Sequence, residues 1–235
     1  MLYNLFRQSV SIMNPTPVAH DGIPLTSVGP SIWRADREIK LPFGITLPLS
    51  MVVMANEHRQ LLLYSPTLLD DATRAALDTL GTVRWIVSPN PLHGHFVASY
   101  RRIYPDADYV IPTQVPTKHW QSWFDTLIVE TRDDYAEICG YHHASRTLIL
   151  SDLAFNVRRA NVGTRCLLRL NGAWRRFTPT RLQRLLVLKN HSALKTFRRW
   201  ALDQDFSQIS VSHGAMVTDD AALAFKRAFA VWQSS

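Results

Sequence analysis

Apolar residues in this chain fall in short runs separated by polar turns, the pattern of strands in a layered fold. Residues 31–35 and 50–55 read as strands parted by a loop at Pro42, Gly44 and Pro48. A further apolar run, 60–65, follows the polar turn 56–59, and two such runs joined by a short polar turn predict an antiparallel hairpin. From 66 to 80 the spacing changes to a helical one: Leu69, Ala72, Ala76, Leu77 and Leu80 share a face, Thr67 or Asp70 can cap it, and Gly81 stops it. The run 83–87 then completes a strand–helix–strand unit. A second helix is expected over 96–103, then a short strand at 109–112 and a helical turn at 118–123. Strands follow at 126–130, 136–141 and 147–150. The last strand spans 209–211, and Thr218-Asp219-Asp220 is placed to cap a helix over 221–232.

With 235 residues, 46% of them hydrophobic and 19% charged, the chain can bury a sizeable core. Residues 1–30 read as an extended lead-in, with 1–13 a frayed extension that has no cleavage site, and 31–235 as one domain. Two cysteines, Cys139 and Cys166, give neither a disulfide framework nor a cysteine zinc site, and the expected compartment is the cytoplasm. No apolar run reaches the length of a membrane span, so no membrane partner is expected.

The net charge of +7 is unevenly placed. Between Asn156 and Trp200 stand Arg158, Arg159, Arg165, Arg169, Arg175, Arg176, Arg181, Arg184, Lys189, Lys195, Arg198 and Arg199, with no Asp or Glu among them. Leucines and aromatics interleave these charges, so the segment reads as a basic helical insertion at about 156–200 presenting a solvated face. Arg158, Arg159, Arg198 and Arg199 are candidates to hold a small anionic substrate or ligand by Coulomb attraction. Nucleic acid is the weaker partner.

Candidate chemistry sits where strands end. The run 83–87 empties into Ser88-Pro89-Asn90-Pro91-Leu92-His93-Gly94-His95, a loop with two closely spaced imidazoles. Residues 147–150 end at Ser151-Asp152, and 209–211 end at Ser212-His213-Gly214. Functional groups of α/β sheets gather at the carboxyl ends of strands, so these distant segments can meet. A His/Asp set suits zinc or iron. His93, His95, Asp152 and His213 are therefore candidate metal ligands, with His143 as a substitute, and Asn90 holds the loop through side-chain to backbone hydrogen bonds. No GxGxxG, GxxxxGK[ST] or GxSxG is present.

The order of these parts resembles a divergent metallo-β-lactamase-fold family of unknown function. The resemblance is carried by residues 62–66, 86–93 and 104–107, then by 143–153 and by Ser212-His213-Gly214. It implies an α/β architecture, a four-layer αββα sandwich with metal held where the two sheets meet. The superfamily's His-x-His-x-Asp-His motif, laid on this chain, puts Asn90, Leu92 and Gly94 in place of the first three ligands and keeps His95 as the last. Asp152 then matches the bridging Asp, and His213 the final His. What remains implies a reduced, mononuclear site of one zinc or iron ion, or none. Two functional classes follow. One is a metal-dependent hydrolase of esters, thioesters or phosphoesters; the other is a non-catalytic ligand- or partner-binding member of the fold, with nucleic-acid binding through the basic segment a weaker third.

Overall fold

The structure is a computed structural model that describes residues 16–17, 23–115, 117–132 and 134–232; the expected frayed start, 1–13, lies outside them. The first sheet contains β1 (Thr16–Pro17), β2 (Thr26–Gly29), β3 (Ile32–Leu41), β4 (Ile45–Ala55), β5 (Gln60–Tyr64), β6 (Thr82–Val87) and β7 (Asp108–Val110). Its order is β1-β3-β4-β5-β6-β7, with β2 also on β3, and β5, β6 and β7 run parallel. The second sheet has the order β11 (Gln208–Val211), β10 (Thr147–Leu150), β9 (Tyr135–His142) and β8 (Phe124–Arg132), with β10 and β11 parallel. Two parts of the lead-in, Thr16–Pro17 and Thr26–Gly29, are strands paired on β3.

Side-chain alternation sorts the core into layers. Val52, Met54, Leu62, Tyr64, Trp85 and Val87 of the first sheet pack with Phe124, Ile138 and Ile149 of the second, which fills the space between the sheets. The opposite parity, Met51, Val53, Leu61, Leu63 and Ile86, packs on α1 (Asp71–Leu80) and α2 (Val97–Ile103) through Leu77, Val97 and Tyr100. On the second sheet the outer positions Cys139, Leu148, Leu150, Ile209 and Val211 meet Leu194, Phe197 and Ala201 of α5 (His191–Asp203) and Phe225 of α6 (Ala221–Ala228). Helix, sheet, sheet, helix is the expected αββα sandwich. A register shift opposite Leu61 and Leu62 leaves Arg84 without a place in the ladder. That bulge lets Val83 face the helices while Trp85, two residues on, faces the other sheet.

Several boundaries differ from the sequence reading. The first helix starts at Asp71, not near 66, because Asp70 accepts the Thr73 N–H and closes the end there. The expected loop at 42–48 shrinks to a turn at Pro42–Gly44, and β3 pairs with β4 from Ile32↔Met54 to Leu41↔Ile45. Pro48 fits inside β4 because its carbonyl, and so its missing N–H, points away from β3 toward His213. Asp220 precedes α6 in the left-handed region with φ 45° and caps nothing with its side chain; α6 itself ends at Ala228. The basic segment contains α3 (Val162–Leu170), α4 (Arg181–Leu186) and α5, begun by side-chain caps from Asn161, Thr180 and Asn190 respectively.

Candidate metal centre

Every group of the centre hangs from one end of the two sheets. Ser65 directly follows β5, Asn90 and His93 follow β6, Asp152 follows β10 and His213 follows β11. Tyr135 and Glu137 belong to the start of β9, which runs the other way and so brings its first residues to the same end.

The loop after β6 is wound tightly by Asn90, whose Oδ1 accepts the Leu92 N–H at 2.9 Å while its carbonyl accepts the His93 N–H at 3.2 Å. This turn aims His93 inward, where it is 7% exposed. His213 is held by its own backbone: its carbonyl accepts the Asn156 N–H at 3.0 Å, and Ser50 N–H reaches across from β4 to the Ser212 carbonyl at 2.8 Å. Gly214 follows with φ 120°, and a Cβ there would stand 2.3 Å from the Asn156 carbonyl oxygen, so only glycine completes the turn. The guanidinium of Arg34 ties β3 to this loop, donating to Ser50 Oγ, Asp36 Oδ1 and the Gly214 carbonyl.

The donors converge on one carboxylate oxygen. His213 Nε2 lies 3.0 Å from Asp152 Oδ1 and His93 Nε2 lies 3.3 Å from the same atom. Donors about 2.0–2.2 Å from a single ion stand roughly 3.0–3.4 Å apart, so these two separations fit a shared ion as well as direct hydrogen bonds. The far ring nitrogens are engaged elsewhere: His213 Nδ1 donates to the Pro48 carbonyl at 2.8 Å, and His93 Nδ1 meets Ser65 Oγ at 2.7 Å. Imidazoles anchored at Nδ1 present Nε2 inward, as in histidine metal sites. The other Asp152 oxygen, Oδ2, accepts from Tyr135 Oη and Asn90 Nδ2, both at 3.0 Å, which leaves Oδ1 facing the histidines.

Beneath them Glu137 is completely buried and accepts backbone N–H groups of Ser151 and Asp152 at 2.8 Å and of Leu153 at 3.4 Å. Its carboxylate therefore fixes the path of the loop that carries Asp152. Burial, with the nearby Asp152 charge, pushes the Glu137 carboxyl up to about 8, against the pull of those amides. Burial would also raise Asp152, but the His93 charge and hydrogen bonds from both imidazoles outweigh it and hold that carboxyl well below its ordinary range. Burial works to lower His213, yet its bond to Asp152 wins and its pKa is raised. The cause is geometric, since His213 faces an acceptor at each ring nitrogen.

Of the ligand candidates from sequence, His93, Asp152 and His213 come together, their donor atoms within 4.8 Å of one another. His95 does not join them: it is exposed, packs against the Phe96 ring and reaches only the cavity wall. The motif register laid on the sequence is corrected accordingly, because the tight turn at Asn90 turns His93 and not His95 inward. A side chain at Gly94 would point toward Ser88 and Tyr109, away from Asp152. His143 is corrected as well. It follows β9 at the end opposite Asp152, since His142 pairs with Thr147 at the start of β10, and it forms an ion pair with Asp125 at 3.0 Å. Five residues of strand put it roughly 16 Å from the centre.

A cavity of about 600 Å³ opens over the cluster. Its walls are apolar: Ile39, Leu41, Phe43, Ile45 and Leu47 from the β3–β4 hairpin, Leu167 and Leu168 from α3, and Leu182, Val187 and Leu188 from and after α4. Gln183 donates to the Asp152 carbonyl and ties α4 to the centre. Among the described residues no lysine or arginine lines this cavity, so Arg158, Arg159, Arg198 and Arg199 are not where an anionic ligand over the centre would meet them. Arg158 instead donates to Asn156 Oδ1 and the Arg175 carbonyl, and Arg198 and Arg199 are carried by α5. Sequence reading missed Tyr135, Glu137, Ser65 and Pro48. A signal existed for one of them: Glu137 shares its strand face with Tyr135, Cys139 and Tyr141, all apolar or aromatic, and a lone carboxylate on such a face marks a site.

No protein-family model matches the chain, and no curated protein matches it. Solved structures do. A fragment, 1–254, of a protein described as diflavin flavoprotein A 5 from Nostoc sp. is similar with a TM-score of 0.63 at 11% identity, over 93% of this chain and 97% of that one. The metal-soaked Flv1 flavodiiron core from Synechocystis sp. is similar with a TM-score of 0.55 at 10% identity, over 93% of this chain and 61% of that one. A metallo-β-lactamase from Erythrobacter litoralis, in a mono-zinc form, is similar with a TM-score of 0.52 at 12% identity, over 92% of this chain and 99% of that one. Two packed sheets between helix layers, with a His/Asp cluster at their common edge, thus belong to a divergent chain of the metallo-β-lactamase fold.

Proposed function

We propose that this protein is a metal-dependent hydrolase with a single ion, acting on an ester, thioester or phosphoester whose larger part is apolar. One observation carries the reading: His93 Nε2, Asp152 Oδ1 and His213 Nε2 converge at the floor of an apolar cavity. Two imidazoles and one carboxylate are the donor set of hydrolytic zinc and of non-haem iron, and three protein donors leave positions open for water and substrate. A bound ion would supply a water molecule acidified toward neutrality and would polarise the scissile group.

The chain's own residues have separate tasks. Ser65 and the Pro48 carbonyl fix the two rings; Tyr135 and Asn90 fix the carboxylate; Glu137 fixes the backbone that carries it. The apolar walls exclude water from the remainder of the substrate and leave reaction to the polar floor. His95, at the cavity wall, is the exposed polar group placed to meet a substrate atom on entry.

Metal analysis and turnover test this together. Protein grown in zinc- or iron-supplemented medium is expected to carry about one equivalent of ion, lost in Asp152→Ala and His213→Ala. Against p-nitrophenyl esters, kcat/KM should rise from acetyl to octanoyl chains and fall at least a thousandfold in both variants. Metal-free protein after supplementation, or equal residual activity in Asp152→Ala, would refute the proposal.

A further inference from the structure

We infer that the mouth of the cavity is a docking surface for an anionic lipid bilayer. This goes beyond the hydrolase reading and does not depend on metal at the floor. It also departs from the expectation, drawn from the lack of a spanning segment, that no membrane is involved.

Large apolar side chains stand in solvent on the three elements that wall that mouth. Phe43, at the tip of the β3–β4 hairpin, is 91% exposed; Val162 and Leu170, at the two ends of α3, are 64% and 75% exposed; Leu185 on α4 is 65% exposed. They are one patch. The Gly44 carbonyl accepts from Asn161 Nδ2 at 2.9 Å, which holds the hairpin tip against the start of α3. At the other end of α3, Arg181 donates to the Leu170 carbonyl and Asn171 Oδ1 accepts the Leu182 N–H, which joins α3 to α4. Phe43 and Leu182 are also cavity walls, so the patch continues into the apolar interior.

Arginines lie close to these residues along the chain. Arg158, Arg159, Arg169, Arg175, Arg176 and Arg181 are all exposed. Among the described residues none of them is paired with a carboxylate, in keeping with a segment that has no Asp or Glu from Asn156 to Trp200. Exposed apolar side chains on a segment whose cations have no carboxylate partner match an interface with acyl chains below and phosphates above. A second copy of this chain is a poor occupant, because a two-fold contact would set these arginines against themselves. Nucleic acid would use the arginines and leave Phe43, Val162, Leu170 and Leu185 unused.

The test is co-sedimentation of the full chain with sucrose-loaded vesicles, of phosphatidylcholine alone or of phosphatidylcholine with an equal share of phosphatidylglycerol. The protein is expected to pellet with the anionic vesicles and to stay largely in solution with the neutral ones. Phe43→Asn keeps a residue suited to the left-handed backbone there (φ 63°) and should lower partitioning roughly tenfold. Arg169→Gln with Arg176→Gln should lower it about 25-fold, at about fivefold for each cation. Asp152→Ala should bind vesicles as the parent does, which separates this surface from the metal centre. Three results would overturn the inference. One is a parent protein indifferent to both vesicles. Another is vesicle-independent binding of a DNA duplex that Phe43→Asn leaves intact. The last is a dimer, seen by sedimentation velocity, that Phe43→Asn dissolves.

Discussion

The second sheet carries a histidine–carboxylate pair at each end, and the two pairs have the same length. His213 Nε2 stands 3.0 Å from Asp152, and His143 Nε2 stands 3.0 Å from Asp125. The side chains of the first pair are 9% and 10% exposed, while both partners of the second are 39% exposed. At the exposed end water competes for each charge and the pair is a surface contact. At the buried end there is no such competition, and the groups must find partners within the protein: a second imidazole, a tyrosine, an asparagine and a carbonyl. The contrast teaches that a short distance between ligand-type residues identifies little. Burial and convergence separate a centre from a salt bridge.

Substitution at the carboxylates should give the widest separation. Asp152→Ala is expected to abolish metal binding and to destabilise the metal-free protein by about 3–5 kcal/mol, because two buried imidazoles lose their common partner. Urea unfolding with chelator present measures the second effect. A loss under 1 kcal/mol would mean that the buried cluster is no more than a surface pair.

Next in size is a pH effect at the far end. His142 is buried beside His143, bonds to Ser145 Oγ at 2.7 Å, and burial lowers its pKa from 6.5 to about 4. The native state holds it neutral while the unfolded chain binds a proton from pH 6.5 downward. Stability is thus complete above about pH 6.5, declines as the pH falls toward about 4, and loses no more from this group below that. A fall from 6.5 to about 4 corresponds to about 3 kcal/mol. Unfolding midpoints at pH 7.5 and 5 should differ less in His142→Gln than in the parent; equal slopes would remove His142 as the cause.

Loss of the hydroxyl in Tyr135→Phe should weaken metal affinity about 10–100-fold with little change in stability of the folded chain, through release of Asp152 Oδ2. Competition with a chromogenic chelator reads this out, and unchanged affinity would make the hydroxyl a bystander. The smallest effect belongs to Asp125→Ala, expected to cost under about 1 kcal/mol and to leave metal content alone. A drop in bound metal there would collapse the distinction between the two ends.

Much of this architecture is legible in local pattern. Short apolar runs announced β4, β5, β6, β9 and β10, and helical spacing announced α1. Asp152 and His213 were readable because each stands just past a strand and so at the sheet edge. His93 and His95 were not distinguishable, since the choice depends on how Asn90 winds the loop. His143 misled because strand direction, which decides the end of the sheet it occupies, is invisible in composition.

What the sequence alone determined is most of the set of elements and the residue types available at strand ends, both consequences of local periodicity. The tertiary structure alone decided which of those ends coincide. Parallel pairing of β10 with β11, and reversal of β9, brought Asp152, His213 and Glu137 to one edge and carried His143 to the other. Those pairings are contacts between residues far apart in the chain, and they are set by how two sheets bury their shared faces, which no local window of sequence records.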